Sequence, residues 1–92
     1  MTQLHSEPYK RFAQALRRAR EQAGLSQYDL AERLAVDQSF ISKYESCRRR
    51  LDVVEFLQIA VAMGVDYRAI LDPLTDPLTD ADEPSTQTPD PS

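Results

Sequence analysis

Tryptophan is absent, cysteine occurs once (Cys47) and glycine only twice (Gly24 and Gly64) among 92 residues. A single thiol cannot close an intrachain disulfide, which excludes a small secreted scaffold stapled by cystines. Two isolated glycines cannot build a glycine-rich phosphate cradle. No apolar run approaches the roughly 20 residues a membrane helix needs, and no charged-then-apolar leader opens the chain. The expectation is a soluble cytoplasmic protein without a membrane partner. The one histidine, His5, has no companion ligands, and Asp72, Asp76 and Asp80 lack the glycine and terminal glutamate of a calcium loop. No nucleophile and base are placed for catalysis. The length leaves room for one small domain, so neither an enzyme nor a metal or other cofactor is expected.

What is present divides sharply by position. The whole chain carries a formal charge of −4, which taken alone argues against a nucleic-acid partner. All 11 basic residues, however, lie within residues 1–71, beside nine acidic ones, a surplus of +2. The last 21 residues hold Asp72, Asp76, Asp80, Asp82, Glu83 and Asp90 and no base, a charge of −6. That segment also holds five of the six prolines, no aromatic residue and a tandem D-P-L-T unit. It cannot bury enough apolar surface to offset its ordering entropy, so residues 72–92 are expected to be a disordered acidic tail. Residues 1–8, ending at Pro8, read as a flexible arm.

Residues 9–71 are rich in Leu, Ala, Arg, Glu and Gln and poor in β-branched alternation, so the domain should be all-α. A first helix over about 9–23 gathers Tyr9, Phe12, Ala13, Leu16, Ala19 and Ala23 on one stripe and stops at Gly24. Arg20 projects into that stripe, where an unpaired guanidinium is costly, so it needs a carboxylate from another helix. Ser26 with Asp29 three residues on marks the start of a second, short helix. Asp37 can cap a third, over residues 38–45, whose wheel separates Gln38, Ser39, Ser42 and Lys43 from Phe40, Ile41, Tyr44 and Glu45. Glu45 faces the body and is the natural partner of Arg20. Asp52 with Glu55 opens a fourth helix, apolar around most of its circumference, that ends at Gly64. Asp66 caps a fifth through Tyr67, Ile70 and Leu71.

Two short helices joined by a tight turn, the second with an exposed row of Gln, Ser, Ser and Lys, have the geometry of a helix-turn-helix. Gln38, Ser39, Ser42 and Lys43 suit base edges in the major groove: Gln pairs bidentately with adenine, Ser donates or accepts, and Lys reaches guanine acceptors. Arg48, Arg49 and Arg50 follow where a chain leaving the groove crosses the phosphates. The spacing does not choose among the three.

The stretch LSQYDLAERLAVDQSFISKYESCRRRLDVVEFLQIAVAMGVDYRAIL, residues 25–71, resembles the Cro/CI-repressor (XRE) family of DNA-binding proteins. S-Q at the start of helix 2, Ala31, the apolar Leu30, Leu34, Val36, Ile41 and Tyr44, then S-K-Y-E and a closing A-x-x-G-V carry the likeness. It implies a compact five-helix, lambda-repressor-like fold and a transcriptional regulator, commonly a repressor, that reads operator DNA as a homodimer. By position it places Gln27 on a phosphate, Gln38, Ser39, Ser42 and Lys43 in the major groove, and Arg20 with Glu45 as a buried structural ion pair. Two positions depart from the family: Cys47 and Ala35 stand where glycine is usual. The first leaves either a differently shaped turn or a non-glycine residue at positive φ, at a cost of order 1 kcal/mol.

One reading helix buries little surface, and palindromic half-sites multiply affinity, so a homodimer is expected, with Val65, Tyr67, Ile70, Leu71 and the apolar excess of helix 4 as its contact. A competing reading keeps the fold but makes it an interaction module, antitoxin-like or anti-activator, that sequesters a protein. The tail admits three readings: a solubilising extension, a site for a protein partner, or a mimic of nucleic-acid charge. Cys47, next to arginines that lower a thiol pKa, is read as a tolerated small residue or a redox or ligand sensor.

Overall fold

The computed structural model describes residues 7–82, with the backbone alone over 76–82. His5 and most of the expected arm lie outside the described residues, as do residues 83–92 of the tail. Five helices follow in order: α1 (Glu7–Gln22), α2 (Gln27–Leu34), α3 (Gln38–Glu45), α4 (Val53–Met63) and α5 (Tyr67–Asp82). There is no strand among the described residues. The fold is thus the all-α, five-helix arrangement expected.

Start signals are local and chemical. Ser26 Oγ accepts from the Asp29 N–H at 3.0 Å while Asp29 Oδ2 accepts from the Ser26 N–H at 2.9 Å, a closed capping box on α2. Asp52 and Glu55 repeat it on α4, at 2.7 and 3.0 Å. Asp37 precedes α3 in extended geometry but makes no side-chain cap bond. The stop signals share one geometry. After α1, α2, α3 and α4 a residue with positive φ reverses the chain, at Gly24 (76°), Ala35 (59°), Cys47 (63°) and Gly64 (72°). Beyond each, an N–H reaches back five residues: Leu25 to the Arg20 carbonyl, Val36 to Ala31, Arg48 to Lys43 and Val65 to Ala60, at 2.7 to 3.1 Å.

The apolar faces of all five helices meet in a core around Leu16, Leu30, Ile41, Tyr44 and Ile59, each essentially without solvent exposure. A smaller cluster of Tyr9, Ala13 and Cys47 seals the α3–α4 loop against α1, bridged to the main core by Phe12. The Phe12 ring meets Tyr9 and Phe56 edge-on at 5.7 and 5.4 Å.

Two boundaries differ from the sequence reading. Glu7 and Pro8 belong to α1 rather than to an arm, because the first turn of a helix needs no N–H donor and accepts proline. At the other end α5 runs past Leu71 to Asp82. Ile70 is buried in the core, and Leu71 and Leu74 are half-buried beside it, so the helix gains apolar contact beyond the expected end. Pro73 and Pro77 lie in this extension, and each removes one N–H donor. The carbonyl that Pro73 leaves without its helical donor belongs to Ala69, an exposed residue. Thr75 Oγ1 donates to the Asp72 carbonyl at 2.9 Å.

Candidate nucleic-acid interface

α2 and α3 are joined by residues 35–37, with Ala35 in the left-handed conformation turning the chain (φ 59°, ψ 44°). Ile41 and Tyr44 are buried on one side of α3. That packing fixes the opposite side outward: Lys43 is exposed, and Gln38, Ser39 and Ser42 are half-buried along the same row.

The row is anchored from beneath by a chain of hydrogen bonds. Arg20 Nε donates to Glu45 Oε2 at 2.8 Å and Nη2 to Oε1 at 3.1 Å, while Nη1 caps the Leu25 carbonyl at 2.8 Å. Both side chains are nearly solvent-free, 9% and 4% exposed. Two ions taken out of water are tolerated here because every strong donor and acceptor has a partner. Hydrogen bonding to Glu45 raises the Arg20 pKa further, so the charge is permanent. Glu45 Oε1 also accepts from Gln27 Nε2 at 3.0 Å, and Gln27 Oε1 accepts from Gln38 Nε2 at 2.7 Å. The first residue of the reading row is therefore oriented by a buried pair joining α1 and α3. Gln38 keeps its Oε1 and its second N–H, the pair a bidentate contact to adenine requires.

Gln27 has a different position from the one a simple phosphate contact implies. Its amide braces Gln38 against Glu45, and one N–H remains. The three arginines also separate. Arg49 is committed internally: Nη1 and Nη2 donate to Glu55 Oε1 and Oε2 at 3.1 and 3.0 Å, and the guanidinium lies 4.7 Å over the Phe40 ring. The fork that would grip a phosphate grips a carboxylate in this structure. Arg48 is exposed, with Nε donating to Ser46 Oγ at 3.1 Å. Arg50 is exposed, its guanidinium 4.9 Å over the Tyr9 ring, and Tyr9 Oη donates to the Arg49 carbonyl at 3.1 Å. The loop carrying the two exposed cations is thus clamped to α1 and α4 from both sides.

The thiol of Cys47 is buried against Tyr9 and Ala13. Its residue supplies the left-handed turn after α3, the role of a glycine.

The residues expected at a dimer contact divide between core and surface. Ile70 is 4% exposed and belongs to the core, while Val65 and Leu71 pack against it. Of the four residues only Tyr67 is exposed. Most of the uncovered apolar surface lies on the α4 part of that expectation: Val53, Val54 and Val61 are 71, 63 and 80% exposed, and Leu57 joins them. The all-round apolar pattern of α4 signalled this face. The internal commitment of Arg49 had no comparable signal, because it depends on the loop folding back onto Glu55.

Among the described residues no group of His, Cys, Asp and Glu could hold a metal ion, and no helix is long and apolar enough to cross a membrane.

The helix-turn-helix domain family model matches residues 11–74. Among solved structures, the chain is similar to an XRE-family-like protein from Pseudomonas syringae pv. tomato, with 42% identity, 77% of this chain and 87% of that one covered, and a TM-score of 0.72. It is also similar to the restriction-modification controller protein C.AhdI from Aeromonas hydrophila, with 33% identity, coverage of 70 and 96%, and a TM-score of 0.62. The wild-type restriction-modification controller protein C.Esp1396I shares the fold at 22% identity, with coverage of 80 and 97% and a TM-score of 0.71. No curated protein matches the chain.

Proposed function

The chain belongs to the XRE family of helix-turn-helix proteins, DNA-binding regulators of transcription, and from that membership we propose that it is a repressor reading a palindromic operator as a homodimer. The observation that carries the reading is the outward row of α3, with Gln38 held in place by Gln27 and the buried Arg20–Glu45 pair. Orientation before binding lowers the entropy cost of contact and favours selectivity. Gln38, Ser39, Ser42 and Lys43 enter the major groove. Arg48, Arg50 and the free N–H of Gln27 take phosphates, while Arg49 shapes the loop that presents them. Both half-sites are engaged through an α4-to-α4 contact between copies, built on Val53, Val54, Leu57 and Val61 with Tyr67 at its margin. No catalytic activity, cofactor or metal enters this function, and the site of action is the cytoplasm.

Selection of bound duplexes from a random pool, followed by affinity measurement against salt, tests the proposal. The expected outcome is a two-fold symmetric consensus and a steep salt slope. Gln38→Ala should cost about 1–3 kcal/mol at one symmetric pair of positions and relax preference there while leaving non-specific binding intact. An unchanged consensus for that variant would overturn the assignment of the reading row. Failure to bind duplex at any salt would favour the interaction module that sequesters a protein.

A further inference from the structure

α1 and α5 leave a groove of about 290 Å³ between them, which shares no residue with the reading row of α3 or the exposed stripe of α4. Ala15 and Ala19 line it from α1, Ile70 and Leu74 from α5. Arg11 and Arg18 line it as well, two helical turns apart on α1. These two arginines differ from others on the same helix. Arg17 pairs with Glu21 at 3.1 Å and Arg20 with Glu45 at 2.8 Å. Arg11 and Arg18 make no ion pair among the described residues, although Glu7 stands one turn before Arg11. Arg11 Nε is closed to solvent and has no hydrogen-bond partner. The Tyr44 hydroxyl is also unpartnered, but it is sealed in the core, whereas Arg11 is only half-buried and stands on a groove that a ligand can enter. A guanidinium donor already stripped of water gains most from an anionic acceptor.

The surroundings narrow the anion. Losing water beside Ala15, Ala19, Ile70 and Leu74 costs a doubly charged phosphate more than a singly charged carboxylate. The same four side chains offer an apolar body somewhere to be buried, and the volume stands at the small end of the range for organic ligands. We propose that the groove between α1 and α5 binds a small organic monocarboxylate. Its carboxylate pairs with the Arg11 guanidinium, Arg18 adds attraction, and its hydrocarbon body packs on Ala15, Ala19, Ile70 and Leu74. The site is separate from the DNA-contact residues proposed above and does not rest on them.

The test titrates the full chain with octanoate, octanol and acetate while following the Nε–Hε signal of Arg11 and the methyl signals of Ala15 and Ala19. Octanoate should shift all three saturably, about tenfold more tightly than octanol, the factor expected of a charge-assisted contact. Acetate should not saturate, because it has little apolar surface to bury. Arg11→Gln should weaken octanoate binding about tenfold. Arg17→Gln, which removes a cation already paired with Glu21, should leave it unchanged. Absence of saturable octanoate binding overturns the proposal. Equal affinities for octanoate and octanol overturn the carboxylate assignment, and saturation by acetate at the same affinity overturns the apolar contact. Equal losses in the two variants would reduce the attraction to the general charge of α1 and overturn the site. Shifts confined to Val53, Val54 and Val61 would do the same by placing the ligand on α4.

Discussion

The Tyr44 hydroxyl is buried in the core and has no hydrogen-bond partner among the described residues. Burial pushes its pKa well above the ordinary tyrosine value, so it stays protonated and carries an unmet donor. The ring itself packs fully and meets Phe40 edge-on at 5.6 Å. An unsatisfied buried polar atom costs about 1–3 kcal/mol. Tyr44→Phe keeps the ring and removes the cost, so it should raise stability by about 1 kcal/mol, measured as a higher urea midpoint at unchanged slope. A lower midpoint would mean that the hydroxyl finds a partner in solution. The Arg20–Glu45 pair is the opposite case, two charges nearly removed from water whose buried polar atoms all have partners. This contrast separates what a sequence exposes at this scale. A charge on an apolar stripe is legible because its burial demands a partner. The missing partner of a tyrosine and the Glu55 partner of Arg49 depend on distances set by the folded loop.

At the scale of the helix, ends were more legible than extents. Capping boxes at Ser26 and Asp52 and glycines at positions 24 and 64 announce themselves, because each satisfies orphan backbone groups with a characteristic residue. Ala35 and Cys47 perform the glycine role without glycine, and the extension of α5 past Pro73 rests on tertiary packing by Leu74; neither carries a local mark. The strain at Ala35 can be tested. Its side chain is exposed and φ is 59°, so Ala35→Gly should gain about 1 kcal/mol in unfolding free energy. At Cys47 the same change forfeits packing against Tyr9 and Ala13, so the gain there should vanish. The α4 cap predicts a pH dependence. Hydrogen bonds from Arg49 and from the Asp52 backbone N–H hold the Glu55 carboxyl below its ordinary value of 4.5. A depressed folded pKa contributes stability that is present above the unfolded value and lost as pH falls through the folded one. Glu55→Gln should therefore lower the unfolding midpoint at neutral pH, with the difference from the parent protein shrinking as pH drops below 4.5. A gap independent of pH would assign the loss to geometry rather than charge.

For the molecule as a whole, apolar surface and charge pull association in different directions. A monomer leaves Val53, Val54, Leu57 and Val61 in water on one helix, and burying such a stripe against its copy gains about 25 cal/mol per Å². Each copy also carries −4, so two copies repel, and screening by salt favours their pairing. Phosphate contact by Arg48 and Arg50 responds with the opposite sign, because salt weakens it. Operator binding should then pass through an optimum in salt at low protein concentration and fall monotonically at high concentration, where the dimer is already complete. Val61→Asp places a carboxylate at the most exposed apolar position of α4, where the fold has no need of the valine. The variant should keep its helical content and sediment as a monomer. It should lose about 10²–10³ in affinity for a palindromic site, since linked half-sites contribute by effective concentration. Its affinity for a single half-site should match that of the parent protein. Equal losses on both DNAs would locate Val61 at the DNA rather than at the partner copy, and an unchanged sedimentation coefficient would move the dimer contact off α4.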